Sequence, residues 1–155
     1  KYGYLIPDET TTFNVYQCKK GEECHPGDGI TSDMKLMKFS PRTTIPNDEE
    51  DYGKEVYNAM SDTDVKSGKT FVTDLHPYKG DLILRYLPSG YNYVLLETVA
   101  PKNYALPKGR NAETSFTVVN DTVLVDEVDV PNKPTAQRHP LERRLRFWRP
   151  VPGCG

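Results

Sequence analysis

The 155-residue sequence lacks any long apolar run, since no stretch approaches the roughly 18 consecutive apolar residues that mark a membrane-spanning helix. The sequence therefore predicts no transmembrane span in this segment. Hydrophobic residues make up 36% of the chain, and the mean hydropathy is −0.67. A chain of this length and composition suits one compact domain with one modest core.

Basic residues are too few in most of the chain to form a nucleic-acid-binding surface. Residues 138–155 hold five Arg and one Glu of the chain's 20 basic and 22 acidic residues, which leaves 15 basic and 21 acidic residues, a net charge of −6, in residues 1–137. A body this acidic repels phosphate backbones, so no nucleic-acid partner is expected. The abrupt change to a basic composition predicts that residues 135–155 are a tail, either disordered or appended during cloning.

Cysteine is scarce, with Cys18, Cys24 and Cys154 as its three occurrences. Cys18 and Cys24 are close enough along the chain to close a small disulfide loop in an oxidising compartment. A zinc site would need His25 together with one distant His, and that ligand spacing is unlike the common zinc patterns. The sequence thus gives a candidate disulfide and predicts neither a metal site nor a cofactor.

Long helical patterns are also missing, and short β-rich runs recur instead. Clusters such as Pro26-Gly-Asp-Gly and Lys108-Gly-Arg-Asn separate these runs, and Asn120-Asp predicts a hairpin turn between the last two. Seven short strands with turns between them predict an all-β fold, a β-sandwich. The predicted strands are Phe13–Cys18, Met34–Phe39, Thr70–Thr73, Leu82–Leu87, Tyr91–Thr98, Thr114–Val119 and Thr122–Val130.

A polar stretch over residues 41–69 is too long for a plain hairpin loop. Within it, the run from Asn47 to Met60 begins with acidic residues and offers Asn47 or Asp48 as an N-cap, which predicts a short helix. We therefore expect 41–69 to be a loop and helix insertion carried by the sandwich.

Alternation within two predicted strands puts polar side chains in line with core-facing ones. Glu97 shares the odd-numbered face that carries Tyr93 and Leu95, and Asn132 has the same parity as Val128. Two interpretations stay open from alternation alone. A glutamate near a strand end often turns to solvent, and an asparagine before Lys-Pro often ends a strand by bonding its own backbone.

Three motifs in the chain form a longer pattern. Leu87-Pro-Ser-Gly-Tyr-Asn-Tyr leads into Glu97-Thr-Val-Ala-Pro-Lys-Asn-Tyr104, Val128-Asp-Val-Pro-Asn-Lys-Pro134 follows, and Thr12-Phe-Asn-Val-Tyr16 precedes them. Together they resemble the collagen-adhesin B-type (CnaB, or SpaA-like) domain of Gram-positive surface adhesins and pilins, whose E-box has the first pattern. The resemblance covers residues 1 to about 134, is strongest over 71–134, and implies an Ig-like sandwich of reverse, prealbumin-like topology.

The resemblance implies a structural or stalk module of an extracellular, cell-wall-attached adhesin or pilus subunit. Its partners would be a host protein, neighbouring domains or other pilin subunits. An alternative is a ligand-binding adhesin domain that uses the 41–69 insertion to bind a host partner. One departure from the family is Asn103, which stands where the family usually has Gly, and Asn is the residue that best tolerates positive φ after Gly.

Domains of this family commonly contain an intramolecular isopeptide bond between a Lys on the first strand and an Asn on the last. The resemblance assigns Glu97 as the catalytic acid and Asn132 as the Asn partner. Burial among apolar groups favours a neutral Lys amine and a protonated Glu, which can donate to the Asn carbonyl and relay protons. The bond forms once per molecule, so the chain is not expected to be an enzyme with turnover.

The resemblance leaves the lysine open. Lys1 precedes the Phe13 strand by about the interval seen in the family, but it is the first residue of the chain. Lys38 is an alternative and Lys19 a weaker one. If Gly3-Tyr-Leu matches the turn after the reactive strand, the reactive lysine lies upstream, and this chain is a fragment of a longer protein.

Overall fold

A computed structural model describes residues 11–46, 53–118, 125–132 and 141–148, the last two segments by their backbone. These segments contain nine strands and one short α-helix, α1, Asp62–Lys66. The strands form two sheets, which confirms the predicted all-β class and its sandwich-like architecture. In chain order they are β1 Thr12–Gln17, β2 Lys35–Leu36, β3 Thr43–Thr44, β4 Glu55–Asn58, β5 Asp81–Arg85, β6 Asn92–Val99, β7 Glu113–Thr117, β8 Val125–Asn132 and β9 Leu141–Trp148.

The first sheet has the order β2-β1-β6-β7 and is antiparallel throughout. Its long interior strand is β6, in which Tyr and β-branched residues favour a pleated, half-buried strand. The register places Val94 of β6 opposite Tyr16 of β1, and Tyr93 of β6 opposite Phe116 of β7. The hydroxyl of the buried Tyr93 donates to the Pro88 carbonyl. The side chain is therefore held by the strand at its Cα and by this hydrogen bond at its hydroxyl.

The second sheet has the order β3-β4-β5-β9-β8. Every residue of β5 is buried, and β5 lies between two parallel neighbours, β4 and β9. A strand that is covered on both faces needs a continuous apolar run rather than alternation, and Leu82-Ile-Leu84 supplies it. β9 then pairs with β8 in the antiparallel direction.

The main core draws on both sheets. It contains Phe13, Val15, Met37, Phe39, Tyr57, Leu75, Leu82, Leu84, Leu87, Tyr93, Leu95, Phe116 and Val118. A smaller cluster of Ile45, Val56 and Ile83 lies on the opposite face of the second sheet, because Ile83 alternates with its neighbours in β5. The region expected to be an insertion is therefore packed into the sheet through β3 and β4.

The prediction of a helix between Asn47 and Met60 is wrong for residues 53–60, the part of this run that the structure describes. Residues Glu55–Asn58 form β4, and the helix begins later, after Ser61, whose hydroxyl accepts from the Asp64 amide at 3.1 Å. Burial of Val56 against the second sheet outweighs the weak local helix preference of the acidic run. Residues 47–52 lie outside the described residues.

Two further expectations differ from the structure. The Asn120-Asp hairpin was expected to pair the last two predicted strands, whereas β7 pairs with β6 and β8 pairs with β9 in the other sheet. Within residues 135–155, the expected tail, Leu141–Trp148 form β9 of the second sheet, and the appended origin of the tail stays a prediction. One strand pairing underlies both differences. β5 and β9 form a parallel ladder of five residue pairs, and no local sequence pattern predicts that these distant segments pair.

Truncating a side chain in the main core should destabilise the fold strongly. Leu84→Ala removes a fully buried side chain between the two sheets and should lower the free energy of unfolding by about 2–5 kcal/mol. The matched control is Leu106→Ala, because Leu106 is 44% exposed. Urea titration under non-reducing conditions measures both, and similar midpoints for the two variants would contradict the assigned core.

Candidate functional site

Glu97 lies on the inward face of β6. It follows Leu95 by two residues, it is paired in register with Phe13 of β1, and it is 4% exposed. The interpretation of the alternation that placed Glu97 in line with the core is therefore confirmed, and the solvent-facing interpretation is wrong. A buried carboxyl group is unfavourable unless it is neutral or hydrogen-bonded, so the environment of Glu97 must satisfy one of these two conditions.

Asn132 is the last residue of β8, and its Cα partner in β9 is Leu141. Asn132 and Glu97 thus belong to different sheets, and inward-facing side chains of two packed sheets meet across the core. The structure describes Asn132 by its backbone, so the contact between its side chain and Glu97 stays a prediction.

The structure describes two of the three lysine candidates, Lys38 and Lys19. Lys1 lies outside the described residues. Lys38 sits between the buried Met37 and Phe39 and alternates away from them, with its Nζ 5.5 Å from the centroid of the Phe71 ring. Lys19 is exposed in the turn after β1. Lys38 and Lys19 therefore lie on outer surfaces of their segments.

The turn that follows β6 keeps its conformation despite the missing glycine. Asn103 has φ of 70°, in the left-handed region that glycine favours. The Tyr104 amide donates to the Pro101 carbonyl at 3.0 Å and closes the turn. Asn at this position therefore adopts the positive φ that the turn requires, as expected from the sequence.

Cys18 and Cys24 form a disulfide in the structure, with Cα atoms 5.5 Å apart. Cys18 is buried directly after β1, and its amide donates to the Asn92 carbonyl at 2.9 Å. The Asn92 side chain donates to the Glu22 carbonyl at 2.8 Å. The loop closed by the disulfide is thus fastened to the start of β6.

Glu113, which the sequence interpretation missed, fastens the segment that directly follows the disulfide loop, residues 25–27, to the start of β7. Its Oε1 lies 2.9 Å from His25 Nδ1, and its Oε2 accepts from the Gly27 amide at 2.7 Å. The Glu113 side chain is 5% exposed. No local signal could have revealed this contact, because the partners are more than 80 positions apart in the chain.

Gly27 permits this attachment by its lack of a side chain. A Cβ at Gly27 would lie 2.3 Å from the Gly109 carbonyl oxygen, closer than real Cβ atoms come. His25, the one nearby zinc-ligand candidate, is bonded to a carboxylate, and the described residues contain no group of three or more His, Cys, Asp or Glu arranged to hold a metal. The loop is therefore organised by hydrogen bonds and a disulfide.

A second feature is a cleft of about 450 Å³ where the expected insertion meets the segment before β5. Its lining is Pro41, Arg42, Tyr57, Phe71, Val72, Thr73, Asp74 and His76. The His76 amide donates to the Tyr57 hydroxyl at 3.0 Å, and Arg42 donates to the His76 carbonyl at 3.0 Å, so the floor is rigid. Asp74 of this cleft also acts on Tyr16. The pKa of Tyr16 is raised mainly by burial and to a smaller extent by the negative charge of Asp74. Phe71 is 40% exposed and gives the cleft an aromatic edge.

Removing the Glu113 carboxylate should loosen the segment that follows the disulfide loop. Glu113→Ala leaves the Gly27 amide and the His25 ring without their acceptor and should lower the free energy of unfolding by about 1–3 kcal/mol. Glu22→Ala, an exposed carboxylate in the disulfide loop, is the control and should be near neutral. Equal urea midpoints for the two variants would show that Glu113 does not hold this segment.

The chain matches no family model, no curated protein and no solved structure. In the described part of the chain, no helix is both long enough and apolar enough to cross a membrane. The function therefore has to be inferred from the geometry of the site.

Proposed function

We propose that the chain is a structural or stalk module of a Gram-positive cell-surface adhesin or pilus subunit. In this proposal the fold has the reverse Ig-like topology of CnaB domains, and an autocatalytic Lys–Asn isopeptide bond stabilises it, with Glu97 as the catalytic acid. The observation that carries the proposal is the burial of Glu97 on the inward face of β6, in the E-box motif.

Glu97 places a carboxyl group on a face of β6 that carries core residues before it. Tyr93 and Leu95 on the same face belong to the main core, and an apolar residue after them would extend it. Placing a carboxyl there instead costs folding free energy unless the group is neutral or bonded. Such local conflicts with good packing are typical of functional sites.

The chemistry needs three groups. The neutral amine of the lysine, proposed to be Lys1, attacks Asn132 Cγ, and a new C–N amide bond forms there. The bond from Cγ to Nδ2 breaks, and Nδ2 leaves as ammonia after gaining one proton from the amine. Glu97 donates to the Asn132 carbonyl oxygen in the transition state, relays that proton and ends in its starting form. Folding itself supplies the proximity of the groups.

The bond would serve mechanical and proteolytic resistance. A covalent link from Lys1 to Asn132 ties the start of the chain to the end of β8, so tension applied between these two points cannot separate them. It also restricts the unfolded chain, as a disulfide does, by an amount on the order of 4 kcal/mol for a loop of this size. The Cys18–Cys24 disulfide suits the extracellular, cell-wall location that the proposal includes.

Intact mass of the reduced, denatured protein tests the bond. The expected mass is lower than the sequence mass by one ammonia, and peptide mapping should join Lys1 to Asn132. Glu97→Gln, which keeps the side-chain shape, should restore the full mass, because the amide cannot relay the proton.

Two controls make the result interpretable. Glu22→Gln changes an exposed carboxyl to an amide and should keep the deficit. Near-UV circular dichroism of Glu97→Gln should show a folded domain, so that the missing bond is not a folding defect. A full sequence mass in the unaltered protein would contradict the isopeptide bond in this chain.

The alternative function, a ligand-binding adhesin domain without the bond, is favoured by the cleft at the 41–69 region. The cleft combines an exposed aromatic edge with Arg42, Asp74 and His76 on a rigid floor. Such convergence of polar groups beside an aromatic ring suits recognition of a host protein. Deleting residues 41–69 would not test it cleanly, because the deletion also removes β4 from the second sheet.

Point substitutions at the cleft give a cleaner test. Phe71→Ala combined with Asp74→Ala should weaken binding to immobilised fibrinogen, fibronectin or type I collagen by about tenfold if the cleft is the binding site. Leu106→Ala, an exposed apolar residue elsewhere, is the control. Thermal midpoints should match those of the unaltered protein. Unchanged binding by the double variant, or no binding to any of the three, would count against a host-binding role for this cleft.

A further inference from the structure

The two sheets end in four edge strands, and three of them have features that discourage pairing with another chain. β2 and β3 are two residues long, which is too short for a stable ladder. β8 carries three acidic residues and Pro131 in its sequence, and proline removes a ladder donor. The fourth edge is β7, in the first sheet.

β7 has none of these protections. Four of its five residues, Thr114-Ser-Phe-Thr117, are uncharged, and the strand contains neither Pro nor Lys. The carboxylate of its single charged residue, Glu113, is turned to the segment that follows the disulfide loop. Among the described residues, β6 is the only strand paired with β7, so the other edge of β7 has no ladder partner in that part of the chain. An uncovered edge of this kind is a template for another strand.

We infer that β7 pairs antiparallel with β7 of a second copy, so that the two four-stranded sheets form one continuous eight-stranded sheet across a two-fold axis at Ser115. This inference does not depend on the isopeptide bond or on the proposed function.

The sequence of β7 fits itself in one register. When Ser115 faces its own copy, Thr114 faces Phe116 and Glu113 faces Thr117, so all five residues pair and no like charges oppose each other. Strand alternation is also preserved. The inward Phe116 lies on the core side together with Thr114, while Ser115 and Thr117 stay exposed on the outer side.

A second copy is also a better occupant than an unrelated strand. A two-fold pair needs only one self-complementary patch, and it is the commonest form of oligomer. The fastening of Glu113 to His25 and Gly27 keeps the one negative charge of the strand away from the contact. The formal net charge of −2 for the whole chain gives only weak repulsion between copies.

Sedimentation velocity measures the self-association at protein concentrations from about 10 µM to 1 mM. High concentrations are needed because a single pair of strands buries little surface area and therefore binds weakly. The expected result is a rise from 17.6 kDa towards twice that mass as concentration increases. Denaturing gels without reductant separate this pair from one linked covalently through Cys154. A monomer over the whole range, or a pair that is entirely linked through Cys154, would overturn the inference.

Charge substitution at the two-fold axis tests the register. Ser115→Glu and Ser115→Lys each place like charges face to face and should weaken self-association by about fivefold or more, whereas an equimolar mixture of the two should associate again through opposite charges. Thr43→Glu and Thr43→Lys place the same charges on the exposed edge strand β3 and should change nothing. Thermal midpoints confirm folding of each variant. Unchanged association of both Ser115 variants, or failure of the mixture to recover, would reject this pairing.

Discussion

The two-residue alternation of β6 is the constraint on which the rest of the structure depends. β6 lies between β1 and β7, and its residues Tyr93, Leu95 and Glu97 share the buried inward face. A shift of one residue would expose Tyr93 and Leu95 and would turn Glu97 to solvent. Burial of Tyr93 and Leu95 therefore also directs the Glu97 side chain into the core. Packing of the two apolar residues thus holds a carboxyl group at a buried position.

The segment from β6 to Tyr104 combines a buried strand with a tight turn. Its strand contributes core residues, and the following turn at Asn103 reverses the chain with a positive φ. The strand is also fastened from its other end, because the Asn92 carbonyl accepts from Cys18 and the Asn92 side chain holds the disulfide loop. Hydrogen bonds beside both ends of β6 therefore support the strand that carries the buried Glu97.

Local signals in the sequence predict some of these features and miss others. Glu97 and Asn103 were identified because strand parity and the φ preference of Asn operate over a few residues. The order of the second sheet was missed, because the pairing of β5 with β9 joins residues about sixty positions apart and leaves no local pattern. The acidic run before β4 predicted a helix for the same reason, since packing of Val56 against Ile83 decides its conformation. The Glu113 contact depends on the meeting of two distant loops, which only the assembled fold provides.

The place of β9 in the second sheet has a consequence for how the chain is made. β9 is the last strand along the described part of the chain, yet it lies inside the sheet, between β5 and β8. During synthesis β5 emerges long before its partner, with one edge unsatisfied, and parallel pairings between distant segments form slowly. The second sheet can therefore be completed only after β9 has emerged from the ribosome, and until then the nascent chain exposes an apolar strand to chaperones or to aggregation.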